Sequence, residues 1–330
     1  MNQTVHRLAK LAVVIAFCVI ILGAWVRLSH AGLGCPDWPG CYGQLTWPEA
    51  AQEIESANQA FPDRPFEAGK AWREMVHRYL AGTLMLLVFA IAWKSWRDPH
   101  TTRRFKLMAM ALVILIIFQA LLGMWTVTLK LKPIIVMAHL LGGLTSFSLL
   151  LWLMFNSRWR NLDKPSIAVR RMRGPIITAI IILSIQIALG GWTSANYAAL
   201  ACPDVPMCMG QWLPETNFPE AFVLWREIGV NYEGGVLDHP SRVAIHLTHR
   251  VGAIVTFLVL LTLALRLFKI PKLRAGGQLL MLLVITQFTL GVLNVVLFLP
   301  LVNAVAHNAG AALLLATLLG LLNKTSSRAV

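Results

Sequence analysis

Eight long apolar segments constrain the fold of this chain more than any other feature of its sequence. They run over roughly 11–26, 75–93, 107–129, 134–155, 175–193, 245–265, 277–299 and 302–322. About 20 apolar residues suffice to cross the hydrocarbon core of a bilayer as a helix. Only 13% of the 330 residues are charged, whereas 57% are hydrophobic. The sequence therefore predicts an all-α polytopic membrane protein with eight transmembrane helices.

The distribution of charge predicts how these spans are oriented. Of the 29 Lys and Arg residues, 19 fall in the N-terminus, the C-terminal tail and the segments near 94–106, 156–174 and 266–274. Positively charged loops tend to stay on the cytoplasmic side. Both termini are therefore expected to be cytoplasmic, with the long loops 27–74 and 194–244 facing outward. The net charge of +14 follows this topology, and no basic patch interleaved with aromatic residues indicates nucleic acid binding.

Four of the five cysteines lie in the two long loops. Cys35 and Cys41 form one C-x5-C pair, and Cys202 and Cys208 form another. Because the outward side is oxidising, each pair is expected to be a disulfide. A zinc site made of the four thiolates is the alternative, although zinc ligands usually come as tighter C-x2-C pairs. The fifth cysteine, Cys18, lies in the first span and is interpreted as a small packed residue.

The two halves of the sequence repeat each other in the same order. Glycines, tryptophans, the cysteine loop and several histidines recur at a nearly constant offset. The matched positions include Gly23 and Gly190, Trp25 and Trp192, Cys35 and Cys202, His77 and His249, Gln119 and Gln287, Gly123 and Gly291, and His139 and His307. Four spans separate corresponding elements, so the copies cross the membrane in the same direction. We therefore expect two pseudo-symmetric four-helix bundles, 1–155 and 175–330, joined by a cytoplasmic linker over 156–174.

Four histidines occupy equivalent places in the second, fourth, sixth and eighth spans. His77 and His249 are expected in the first turns of their spans, with His139 and His307 at a similar depth. Two imidazoles from facing helices commonly hold heme iron in a bundle. The repeat thus predicts two heme sites, His77 with His139 and His249 with His307. A zinc or di-iron site would need more intramembrane carboxylates than Glu74, and no C-x-x-C-H motif indicates covalent attachment.

Two arginines directly follow histidines of this set. Because guanidinium pairs well with carboxylate, Arg78 and Arg250 are candidates for anchoring heme propionates. The alternative is that these long side chains extend to the lipid headgroups.

The halves differ at one position beside the predicted sites. The first has Glu74 where the second has His246. A carboxylate next to a reactive centre can act as a base or stabilise positive charge. We infer that the first half performs chemistry and the second carries electrons. The alternative is that Glu74 caps a helix near its positive N-terminus, and no role is assigned to His246.

These residues together resemble the heme A synthase family over essentially the whole chain. The resemblance is carried by Glu74, His77 and Arg78 in a Glu-x-x-His-Arg motif, the three later histidines, and the Cys-Pro-Asp-Trp-Pro loop with its second cysteine, Cys41. It implies oxidation of the C8 methyl group of heme O to the formyl group of heme A, through successive hydroxylations and loss of water. It also implies a bacterial inner membrane location, with heme O synthase and terminal oxidase assembly factors as candidate partners.

The resemblance assigns roles to single residues of this chain. His77 and His139 would bind the substrate heme, His249 and His307 a heme b, and Glu74 would be the essential glutamate. The pair Cys35 and Cys41 would serve heme delivery or redox coupling, whereas a second cysteine pair departs from the simplest family pattern. The rival interpretations are a di-heme cytochrome b that exchanges electrons with quinone, a thiol–disulfide oxidoreductase and a transporter.

Overall fold

The computed structural model describes residues 3–156 and 165–326, and within these ranges it is helical and contains no strand. The helices are α1 (Gln3–Leu28), α2 (Ala51–Ala60), α3 (Ala68–Arg97), α4 (Arg103–Thr128), α5 (Pro133–Asn156), α6 (Ile167–Arg171), α7 (Arg173–Ala195), α8 (Phe218–Ala221), α9 (His239–Phe268), α10 (Arg274–Val296) and α11 (Leu301–Thr325). Eight helical segments are long and apolar enough to span a membrane, with α6 and α7 counted as one. The predicted fold class and number of spans are confirmed.

The long helices pack as two groups of four. In the first group, α1 and α4 each contact both α3 and α5, and in the second, α7 and α10 each contact both α9 and α11. The groups meet where α11 packs on α1 and α5, and where α5 packs on α7. This arrangement is consistent with two pseudo-symmetric bundles. Part of the predicted linker, residues 157–164, lies outside the described residues, and the domain boundaries stay a prediction.

Two helices begin earlier than the apolar segments suggested. Helix α3 starts at Ala68 and α9 at His239, so the long loops are shorter than 27–74 and 194–244. His77 and His249 consequently lie about three turns into their helices rather than in the first turn. Hydropathy detects the apolar part of a helix but not its polar extension. At α9 the extension is capped by the Asp238 side chain, which accepts a hydrogen bond from the Ser241 amide at 3.0 Å.

Buried apolar side chains form separate clusters at the two ends of the bundles. The largest cluster of buried apolar side chains draws on all eight long helices and includes Leu84, Leu144 and Leu260, each of which follows a histidine of the predicted sites. Small separate clusters lie at the other end, which we call the loop end, under the segments that connect α1 to α3 and α7 to α9. The histidines lie between the two. Cys18 is exposed on the apolar surface of α1, so its interpretation as a packed residue was wrong.

Candidate functional site

Each of the four predicted iron ligands packs against a glycine of a neighbouring helix. A Cβ atom built on each glycine would lie 3.0 to 3.4 Å from the Cε1 atom of the facing imidazole. The pairs are Gly23 with His77, Gly123 with His139, Gly190 with His249, and Gly291 with His307. Any side chain at these glycines would press on the ring. The glycines that the repeat singled out therefore admit the histidines between the helices.

The ring nitrogens show which atom is free to bind a ligand. The Nδ1 atoms of His77, His139 and His307 are buried and have no hydrogen-bond partner among the described residues. Nε2, the other nitrogen of each ring, is then the atom that would bind an iron. His77 lies within electrostatic range of His139, and His249 within range of His307. The two histidines of each bundle are thus near each other, and their pairing as iron ligands stays a prediction.

The residues of both pairs fit a heme. Two imidazoles are a donor set that could hold a heme iron. In the part of the chain that the structure describes, no three His, Cys, Asp or Glu side chains converge as a metal cluster.

Glutamines that the sequence interpretation left without a role brace the histidine helices. Gln186 Nε2 donates to the backbone carbonyl of His249 at 3.0 Å, and Gln287 Nε2 donates to that of His307 at 3.0 Å. Each amide oxygen lies against a glycine one turn further on, Gly252 or Gly310, where a Cβ atom would come within 2.2 Å. A polar side chain in mid-span is a functional signal in itself.

Equivalent bracing is only partly present in the first bundle. Gln119 packs against Gly142, but its amide nitrogen rather than its oxygen faces the glycine, and that nitrogen has no hydrogen-bond partner among the described residues. The position that matches Gln186 is Val19, four residues before Gly23. Gln186 Nε2 also lies 3.0 Å from Nδ1 of His249. His77 has no corresponding amide, so its ring and its helix are held less tightly than those of His249.

Glu74 connects the first cysteine loop to the helix that carries His77. Its side chain is 5% exposed. One carboxylate oxygen accepts a hydrogen bond from the Cys35 amide at 3.0 Å, and the other pairs with the Arg78 guanidinium. Glu74 lies one turn from His77 on the same face of α3. Both of its oxygens therefore have donors, at the junction between loop and histidine layer.

His246 performs the same connection in the second bundle with different chemistry. Its side chain is 4% exposed, and its Nδ1 atom lies 2.9 Å from the Ala198 carbonyl oxygen. A neutral imidazole donates to a loop carbonyl here, whereas Glu74 accepts from a loop amide. The loops are held in both halves, but a carboxylate is present only in the first.

Both arginines of the predicted propionate anchors bind the cysteine loops. Arg78 donates to the carbonyl oxygens of Asp37, at 2.9 Å, and Gly40. Arg250 donates to the carbonyl oxygens of Cys202 at 2.7 Å, Asp204 at 2.7 Å and Met207 at 2.9 Å. Buried carbonyls need such donors. The arginines therefore fix the loops over the histidine layer, and propionate binding by them stays a prediction.

The two cysteine loops share one internal design. Disulfides join Cys35 to Cys41 and Cys202 to Cys208, with S–S distances of 2.02 Å. The predicted disulfides are confirmed, and the zinc alternative is excluded because these thiols are consumed. In the second loop Asp204 accepts hydrogen bonds from the amides of Met209 at 2.6 Å and Gly210 at 2.8 Å, and these amide bonds, above all that from Gly210, lower the pKa of Asp204.

Asp37 holds the first loop in the same way. Its carboxylate accepts from the amides of Tyr42 at 2.6 Å and Gly43 at 2.7 Å. Gly43 and Gly210 both have positive φ, 77° and 71°, a conformation that glycine adopts readily. The repeat therefore extends to the backbone of the loops.

Comparison with known proteins places this arrangement in one family. Residues 6–319 match the COX15-CtaA family, whose description is cytochrome oxidase assembly protein. A heme A synthase of Shewanella oneidensis is 47% identical over 311 residues, which cover 94% of this chain and 93% of that protein. Heme A synthases of Shouchella clausii and Caulobacter vibrioides are 28% identical over 302 residues (88% of this chain, 87% of that protein) and 27% identical over 328 residues (91% and 90%), respectively.

Proposed function

The chain belongs to the COX15-CtaA family of cytochrome oxidase assembly proteins, and we propose that its two bundles divide the work of heme A synthesis between them. Its activity is that of a heme A synthase, an oxidoreductase that acts on heme O. The family and this relative favour that activity over the electron-transfer, thiol–disulfide and transporter interpretations. What remains to be assigned is the role of each bundle.

The first bundle is the substrate site in this proposal. His77 and His139 hold heme O, and its C8 methyl group is oxidised to the formyl group of heme A. The observation that carries the assignment is Glu74, a buried carboxylate one turn from His77, for which the second bundle has only the imidazole of His246. A substrate must also leave as product, and the absence of an amide at Val19 leaves the His77 helix freer to release it.

The second bundle holds a resident heme b between His249 and His307. Gln186 and Gln287 support this assignment, since both brace the backbone of a ligand. A hydrogen bond to the backbone of a ligand limits the movement of that ligand. When bound, the heme b supplies a redox centre that takes up electrons from the oxidation in the first bundle.

Glu74 is the residue of this chain that handles the proton. Its carboxylate is stabilised by the Arg78 guanidinium and the Cys35 amide, so it can accept a proton when water adds to the oxidised methyl carbon. The loop closed by the Cys35–Cys41 disulfide lies over it and limits the access of bulk water. The loop thus positions the base, and the family's cysteine role in heme delivery stays a proposal.

The location and the partners follow from the same premise. The protein is a multi-pass membrane protein, and we place it in a bacterial inner membrane with both termini cytoplasmic. The confirmed disulfides support an oxidising, outward location for the loop end. Heme O synthase and terminal oxidase assembly factors are its proposed partners.

Replacement of Glu74 tests the assignment of chemistry to the first bundle. Glu74→Gln keeps an acceptor for the Cys35 amide but removes the base, so heme content should persist while heme A formation falls by about a hundredfold or more. Extracted hemes are separated by chromatography from cells that make heme O. Glu67→Gln, an exposed carboxylate at the start of the same helix, is the control. Normal heme A formation by Glu74→Gln would refute the assignment.

A further inference from the structure

Two cations at the loop end of the first bundle take no part in holding the cysteine loops. Arg73 lies on α3 four residues before His77, and Lys132 precedes α5, seven residues before His139. Side chains at spacings of four and seven share one face of a helix. Both cations therefore lie on the loop side of a predicted heme ligand, about one and two turns away.

Lys132 is enclosed without an anion. Its side chain is 1% exposed, and its Nζ atom has no hydrogen-bond partner among the described residues. The ring of Trp225, from the loop of the second bundle, lies 3.7 Å from Nζ. A cation–π contact offsets part of the unfavourable burial of an ammonium group, but a buried charge usually has a counter-charge. Lys132 is thus prepared for an anionic partner.

Arg73 shows the same deficit. Its Nε atom is buried with no hydrogen-bond partner in the described parts of the chain. The guanidinium carbon lies 5.8 Å from the ring centroid of Trp25 and 5.9 Å from that of Trp72. The aromatic rings fix the group in place, and no carboxylate of the described residues forms an ion pair with it. Arg73 is therefore a positioned cation with donors to spare.

The second bundle has neither charge. Ile245 stands four residues before His249, and Pro300 stands seven residues before His307. The histidines are repeated, but the two cations are not. The nearest counterpart, Arg242, stands seven residues before His249 and also has a buried Nε atom without a hydrogen-bond partner among the described residues, but the carboxylate of Asp238 lies within its electrostatic range. A requirement shared by both hemes cannot explain them, whereas a requirement of the substrate alone can.

We propose that Arg73 and Lys132 bind the two propionates of heme O and so select the orientation of the substrate in the first bundle. This inference rests on the proposed function. Two carboxylates lie at one edge of the porphyrin, and two cations lie at the loop end of the two ligand helices. The methyl group that reacts shares a pyrrole ring with one propionate, so this orientation brings it to the loop end, where Glu74 lies. The farnesyl tail, at the opposite edge, then points toward the apolar core.

Spectral titration with heme O and with its dimethyl ester tests this orientation. The protein is used as purified in detergent, with the second bundle already loaded, and binding of the further equivalent is measured. Wild type should bind the acid roughly tenfold or more tightly than the ester, since charge-assisted bonds to the propionates are lost with esterification. Arg73→Met and Lys132→Met should each weaken binding of the acid about tenfold and leave binding of the ester unchanged.

Lys130→Met is the matched control, because Lys130 is an exposed cation two residues from Lys132, and it should behave as wild type. Equal binding of acid and ester by wild type would overturn the inference, even if the variants did not fold. So would variants that keep the preference for the acid, since another cation such as Arg78 would then hold the propionates. Equal weakening of acid and ester would show a structural role. If wild type bound no further heme at all, the proposed substrate site itself would fail.

Discussion

The two bundles share one helix arrangement and one set of histidines, and they differ in the residues to which we assign separate roles. In each bundle two histidines pack against glycines of neighbouring helices. In each bundle an arginine and an aspartate also form the hydrogen bonds that hold the disulfide loop. The differences concentrate at the loop end of the histidine layer. The first bundle has a carboxylate at Glu74 and the second an imidazole at His246. In the proposed function the repeated residues hold a heme in each bundle, and the unmatched residues distinguish the substrate site from the electron-transfer site.

A second difference concerns how firmly each site holds its ligand. Gln186 donates to the backbone carbonyl of His249 and lies against its ring, while Val19 offers His77 no hydrogen bond. A resident cofactor benefits from fixed ligands, and a site that must exchange substrate for product does not. The comparison therefore predicts a retentive second bundle and an exchanging first bundle.

Replacement of single proposed iron ligands should separate the two bundles most clearly, by heme content and by heme A formation. We expect His307→Ala to reduce the heme b that copurifies with the protein by about tenfold or more, because one of the two residues that would hold it is removed. His139→Ala should retain that heme and abolish heme A formation. Heme-to-protein ratios and chromatography of extracted hemes measure both effects.

The control for these variants is His100→Ala, an exposed histidine between α3 and α4. If His139→Ala lost as much copurified heme as His307→Ala, the two bundles would not hold separate hemes. The division of labour between them would then be wrong.

Replacement of Gln186, whose amide holds the His249 backbone, should have a smaller effect on heme retention. Gln186→Leu removes the partner of His249, so heme b should dissociate about tenfold faster into a heme-scavenging protein, by analogy with other partners of metal ligands. Ser184→Ala, at an exposed position on the same helix, should dissociate as wild type does. Leu80 stands three residues after His77, where the second bundle has Gly252 against the Gln186 amide. The converse change, Val19→Gln with Leu80→Gly to make room for the amide, should slow heme loss from the first bundle. If Gln186→Leu retained heme b as wild type does, the amide would not explain a difference in retention between the bundles.

The sequence was sufficient for those parts of the structure that depend on local pattern. The eight spans follow from apolar segment length, and the disulfides follow from cysteine spacing within one loop. The start of α3 could not be derived, since the polar residues from Ala68 onward lie outside the apolar segment that marks the span.

Contacts between distant segments were also out of reach. Gln186 and His249 are 63 residues apart, and Lys132 meets Trp225 of the other half. Arg78 and Arg250 were considered for propionates because a guanidinium binds carboxylate, but the loop carbonyls that occupy them become visible only when the loops fold back. A polar residue in an apolar span reveals that it has a partner, but not which one.

The smallest expected effect tests whether the two loops are as alike as their hydrogen bonds suggest. The pKa of Asp204 is lowered in the folded loop, so its ionised form stabilises the loop above the ordinary carboxyl pKa, and this contribution is lost as the pH falls through the lowered value. In Asp204→Asn only one side-chain oxygen remains for two amides. Hydrogen exchange at Met209 and Gly210 should therefore become roughly threefold faster near neutral pH, the size expected for an exposed charge.

Asp37→Asn should have the matching effect on Tyr42 and Gly43, because the same two bonds are present there. Glu215→Gln, an exposed acid of the second loop, serves as the control and should leave the exchange rates unchanged. The difference between Asp204→Asn and wild type should vanish at a pH below the lowered pKa, where both side chains are neutral. A difference that persisted there would show that the carboxylate charge does not hold the loop, and that the loops owe their likeness to the disulfide and the glycine turn alone.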